Sequence, residues 1–114
     1  MVDKYPLLYK PKKSREKVEE KRQLALFKAK KIAELLYRKY NVKKVILFGS
    51  VLKSEDFSLE SDIDIAVDGL KEELFFKAYG EISSLYKGIS VDFIDVKDCR
   101  ESIKESILNN GVKL

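Results

Sequence analysis

Asp62 and Asp64 stand one residue apart at the head of an apolar run, Ile63-Asp64-Ile65-Ala66-Val67. Across a linker of eleven residues, the pair Gly49-Ser50 closes another apolar run, Val45-Ile46-Leu47-Phe48. Successive side chains of a strand point to opposite faces, so Asp62 and Asp64 project together while Ile63 and Ile65 project the other way. Two like charges side by side repel and gain nothing from burial. A divalent cation between them reverses the sign of that interaction, and magnesium favours one or two carboxylates together with phosphate oxygens. The spacing therefore points to a Mg²⁺ site that handles phosphates. Gly49 supplies the matching half, because a residue without Cβ lets backbone come close to a ligand. Ser50 is placed to cap a short helix beginning near Val51, whose free N–H groups would face phosphate.

A site built around two cations needs a third carboxylate for charge balance. The run Val91-Asp92-Phe93-Ile94-Asp95-Val96 offers Asp92 and Asp95. They are an odd number of positions apart, so they face opposite sides of a strand and only one can join the pair. Asp68 shares the face of Asp62 and Asp64, but it lies roughly 13 Å beyond Asp64 along a strand, and reads as a turn residue beside Gly69.

The Gly49-Ser50 and Asp62-Ile63-Asp64 combination resembles the polymerase-β-type nucleotidyltransferase superfamily, over roughly residues 42 to 114. The short chain is similar to the minimal nucleotidyltransferases of that group. The resemblance implies that Asp62, Asp64 and Asp92 are the catalytic, metal-holding carboxylates, with Asp95 as the fallback for the third. It implies that Gly49 and Ser50 hold the β- and γ-phosphates of ATP. Family members often carry arginines just after Gly-Ser; here Val51 and Lys53 stand there, and Lys53 supplies a point charge for the nucleotide. The implied reaction is Mg²⁺-dependent transfer of AMP from ATP to a hydroxyl, a tyrosine of a HEPN-type toxin, with this chain as antitoxin. Two alternatives stay open: an antitoxin that neutralises its partner by binding alone, and a nucleotidyltransferase acting on a small molecule or an RNA end.

The composition narrows the chemistry. The 114 residues contain no histidine and one cysteine, Cys99. Histidine acid–base catalysis, catalytic triads and common zinc sites are excluded, as is an internal disulfide. Any catalysis rests on carboxylates, metal and backbone. Apolar runs are only a few residues long, and the first residues lack a signal-peptide core, so a cytoplasmic protein without a membrane span is expected. The net charge of +4 is unevenly spread: residues 1–44 hold 15 basic against 5 acidic residues, and residues 45–114 hold 8 against 14. The basic segment is a solvated helix face or a surface for an anionic partner, and its interleaved aromatic residues leave RNA contact as a lesser option.

One domain over residues 1–114 is expected, of α/β class: a small mixed sheet flanked by helices. Residues 1–13 read as an irregular basic segment, interrupted by Pro6 and Pro11. Residues 14–40 read as a helix capped by Ser14, with Ala25, Ala29, Ile32, Ala33, Leu36 and Tyr40 as its apolar stripe. Leu24, Phe27 and Leu35 widen that stripe toward the sheet or another chain. Strands are expected over 44–48, 63–67 and 90–96, with a short edge strand over 112–114. A helix from Leu70 to Tyr86 is expected to bury Leu74, Ala78, Ile82, Leu85 and Tyr86. A last helix, with Asp98 and Glu101 as a capping box, is expected to bury Ile103, Ile107 and Leu108 and to end at Gly111. The tyrosines, Tyr5, Tyr9, Tyr37, Tyr40, Tyr79 and Tyr86, read mainly as helix–sheet packing with a wet hydroxyl end.

Overall fold

The computed structural model describes residues 13–85 and 88–114. The irregular N-terminal segment before Lys13, with Tyr5 and Tyr9, and also Tyr86, lie outside the described residues. The order is α1 (Lys13–Tyr40), β1 (Lys44–Phe48), β2 (Ile63–Asp68), α2 (Phe75–Leu85), β3 (Val91–Asp95), α3 (Glu101–Asn110) and β4 (Val112–Lys113). The strands form one sheet in the order β3-β2-β1-β4. β1 pairs antiparallel with β2 and β4, while β2 and β3 run parallel, joined through α2. The mixed α/β fold expected from the sequence is present. No described helix is long and apolar enough to cross a membrane.

Strand alternation sorts the residues into two layers. Val45, Leu47, Ile63, Ile65, Val67, Val91 and Phe93 face α1 and α2, and join Ala25, Ala29, Ile32, Leu36, Ala78 and Ile82 in the main core. The small residues of the α1 stripe let that helix lie close on the sheet. Phe75 stacks on Phe93 at 5.0 Å between centroids, and Tyr79 tilts against the same ring. The Tyr37 hydroxyl accepts from Val45 N at 3.0 Å and donates to Leu114 O at 3.1 Å. That of Tyr40 donates to Glu81 at 2.6 Å. These rings pack with satisfied hydroxyls, as buried tyrosines require.

The opposite face carries a smaller cluster, Ile46, Ala66, Val96 and Ile107, flanked by Phe48, Ile94 and Cys99. It is covered by α3, and here the expected packing needs correction. Ile107 is buried, but Ile103 and Leu108 are 45% and 52% exposed. The strand positions on this side include Asp64 and Asp92, so little apolar surface remains for the helix to cover. Leu85 likewise points outward from the end of α2, and Leu24 and Phe27 stand exposed on α1, whereas Leu35 packs against the core.

Several helix ends also differ. Ser14 lies inside the first turn of α1 instead of preceding it. The segment from Leu70 starts with a 3-10 turn at Glu72–Leu74 before α2. Asp98 belongs to another 3-10 turn, Val96–Asp98, and α3 starts at Glu101 after Arg100, which makes no side-chain cap bond. Gly111 ends α3 with an ordinary φ of −78°. Its value lies in closeness: a Cβ there would sit 2.5 Å from both Ile107 O and Ile46 Cγ2.

Candidate active site

On the α3 side of the sheet, the end of β1 and the starts of β2 and β3 lie side by side. Phe48 pairs with Asp64, and Asp64 with Asp92. A row across three strands therefore reads Asp92, Asp64, Phe48. Asp62 comes one residue before β2 and is exposed, with Oδ1 accepting from Ser90 Oγ at 2.5 Å. Ser90 immediately precedes β3, and its carbonyl accepts from Ile63 N at 2.9 Å, so strand pairing brings Asp62 to the β3 side.

Asp64 is half-buried, and its pKa is pushed up to about 6. Burial is the largest cause, followed by the charges of Asp92 and then Asp62. All three carboxylates act on one small region. Among the described residues, no three such groups are drawn into a ready metal shell.

Asp95 is elsewhere. It is 5% exposed, and it accepts from the backbone N–H of Lys97 at 3.0 Å, with Lys97 Nζ 3.5 Å away. It caps the turn after β3 and is buried there. Asp68 ends β2, paired with Lys44 at the far end of the strand from Asp62.

Gly49 faces Asp64. Its φ of 84° and ψ of −159° are available almost only to glycine. A Cβ at Gly49 would come within 2.0 Å of Asp64 Oδ2 and 2.9 Å of Asp64 Cγ. The missing side chain thus lets the turn lie directly against the carboxylate. Ser50 is not a helix cap. It is the first residue of the 3-10 turn Ser50–Leu52, and Gly49 occupies the cap position without a side-chain bond. Lys53, just past the turn, is exposed and borders a cavity of about 570 Å³ shared with Phe48, Gly49, Ser106 and Asn110.

One residue near the site carries no motif in the sequence. Arg22 of α1 donates from Nε to Val51 O at 2.8 Å and from Nη2 to Leu52 O at 3.2 Å. No periodicity links a helix residue to a turn so far along the chain, so only the tertiary contact reveals it.

The donor set suits a hard divalent cation: carboxylate oxygens alone, one of them disfavoured as a free anion, beside a turn whose glycine backbone lies against Asp64. Such a set can hold a cation against phosphate oxygens. A family model, Polymerase beta, Nucleotidyltransferase, matches residues 30–114. The chain belongs to this family. The match takes in the four strands and every candidate site residue of this nucleotidyltransferase domain. Among solved structures, a chain in the crystal structure of the toxin–antitoxin MntA-HepT is similar with a TM-score of 0.55 and 23% identity, over 77% of this chain and 69% of that one. At that identity the likeness is one of fold. No curated protein sequence matches the nucleotidyltransferase domain.

Proposed function

We propose that the protein transfers AMP from ATP to a hydroxyl, a tyrosine of a HEPN-type toxin, and acts as the antitoxin of that partner. The observation that carries the transferase reading is the row of Asp92 and Asp64 beside Gly49, with Asp62 at its edge. The antitoxin reading draws on the family resemblance and on a structural neighbour described as a toxin–antitoxin.

Asp62, Asp64 and Asp92 would hold Mg²⁺. The bound ion would supply Lewis-acid chemistry, offsetting phosphate charge and acidifying the acceptor hydroxyl. The chain's own residues do the rest. Gly49 and Ser50 give the triphosphate a close backbone approach, and Lys53 offsets charge on the departing end. The acceptor oxygen bonds to the α-phosphorus as the α–β bridging bond breaks, so that pyrophosphate leaves with that electron pair. Asp92, exposed at the edge strand, takes the hydroxyl proton. An edge position suits an acceptor carried on a protein surface.

Two experiments test this. A substoichiometric amount of the protein, incubated with ATP, Mg²⁺ and the HEPN-type partner, should add one AMP mass or a small multiple to most of the partner by intact-mass analysis. Neutralisation only at about one molecule per partner site, indifferent to ATP, would establish the binder instead. Single variants then assign the third carboxylate. Asp92→Asn should lower transfer by roughly a thousandfold, while Asp95→Asn should retain most transfer and melt lower through its weakened cap. The reverse ranking would mean that the wrong acid has been assigned.

A further inference from the structure

We infer that Arg22 is a positioning residue for nucleotide binding, holding the Gly49–Leu52 turn at its working distance from Asp64. The inference rests on the nucleotidyltransfer reading above. Arg22 lies outside the segment matched by the family model, which begins at residue 30. The contact is therefore made by the part of α1 that precedes the matched core.

The backbone of the turn bonds Leu52 N to Gly49 O and Lys53 N to Ser50 O, both at 3.2 Å. The next two carbonyls, those of Val51 and Leu52, take their donors from Arg22. A guanidinium presents its N–H groups in a fixed fork, so it can bridge adjacent carbonyls that an ammonium would serve only as a point charge. The Arg22 side chain is 17% exposed, with Glu19 at 3.4 Å as its carboxylate partner. At that burial the two bonds are charge-assisted and only weakly opposed by water. The Val51 side chain is fully buried in the core beneath α1, so the turn is gripped through side chain and backbone together. Beside Arg22 on the same helix, Lys21 Nζ donates to Leu59 O, in the loop that leads to Asp62. Thus α1 braces the connection between the two motifs, and Arg22 holds the end nearest Gly49.

The consequence is geometric. Gly49 is so close to Asp64 that a Cβ would collide with the carboxylate, so a small drift of the turn changes the space in which phosphate and carboxylate must meet. Misplacement on this scale affects ligand binding and transfer before it affects the fold.

The test compares Arg22→Ala, Arg22→Lys and Tyr37→Phe. Tyr37 lies on the same helix and bonds to the start of β1 and to Leu114, away from the turn, so its variant controls for general loosening. Amide hydrogen exchange and Mg–ATP titration are measured on each. Arg22→Ala should speed exchange selectively at residues 49–53 and weaken Mg–ATP roughly tenfold. Arg22→Lys should recover part of both effects, and Tyr37→Phe should show neither. Absence of selective exchange, equal weakening by Tyr37→Phe, or a loosened turn with unchanged affinity would overturn the positioning role while leaving the transferase reading intact. A wild-type protein that binds no Mg–ATP would sink that reading, and this inference with it.

Discussion

Gly49→Ala is expected to lower stability by about 2 kcal/mol and to weaken Mg–ATP by about a hundredfold. Two causes combine. The backbone at Gly49, φ 84° and ψ −159°, is one that an L side chain scarcely adopts. The new methyl would also meet Asp64 at Oδ2 and at Cγ, so rotating the carboxylate tip does not clear it. The turn, the whole Asp64 side chain or β2 must move, and each move disturbs the space proposed for phosphate. Thermal melting and calorimetry measure the two effects on one sample. Ser50→Ala is the companion: with no side-chain cap bond to lose, it should melt close to wild type. A Gly49→Ala protein that melts lower yet binds Mg–ATP normally would reduce the glycine to a backbone device.

Asp64→Asn should do the opposite to stability while removing function. The folded-state pKa of Asp64 is raised from 3.8 to about 6, so the folded protein holds this proton more tightly than the unfolded chain does. That preference favours the fold below about pH 4 and is lost as pH rises through 6. At pH 7.5 the ionised group is a burden. The full shift corresponds to about 3 kcal/mol, but the group is half-exposed and solvent screens it, which reduces the expected gain for Asp64→Asn to about 1 kcal/mol, or roughly 5 °C in Tm. The gain should vanish near pH 4. Transfer by the variant should fall by roughly a thousandfold, and Mg²⁺ should raise the melting temperature of wild type more than that of the variant. A variant that melts below wild type at pH 7.5 would contradict the repulsion on which this rests.

The strands that carry the site are legible in the sequence because each is a short apolar run, and at the head of β2 a period of two separates acid from apolar residues. Asp62-Ile63-Asp64-Ile65 states its own geometry, and the odd separation of Asp92 and Asp95 forces a choice between them. The stripe of α1 is equally plain, since alanines and large aliphatics recur at helical spacing. What fails is what depends on distant partners. Ile103 and Leu108 have the spacing of a buried face, yet only Ile107 reaches the small apolar patch of Ile46, Ala66 and Val96, and the other two stay exposed. Ser14, Ser50 and Asp98 have the right types for caps, but where the backbone begins to turn is settled by tertiary contacts. Arg22 reads as one more cation on a basic helix until the fold delivers two carbonyls to it.

Strand β1 has one further consequence, for the route by which the chain folds. Its inner edge pairs with β2 across a single loop, whereas its outer edge waits for β4, which joins Val112 and Lys113 to Leu47 and Ile46. Pairings so distant along the chain form late, since the entropy of closing the loop is lost before the ladder returns any energy. A sheet still lacking β4 would display the unpaired N–H and C=O groups of an apolar strand, which is a template for a neighbouring molecule. Dilute refolding should therefore recover more native protein than concentrated refolding, with the yield set by how fast the C-terminal strand reaches β1.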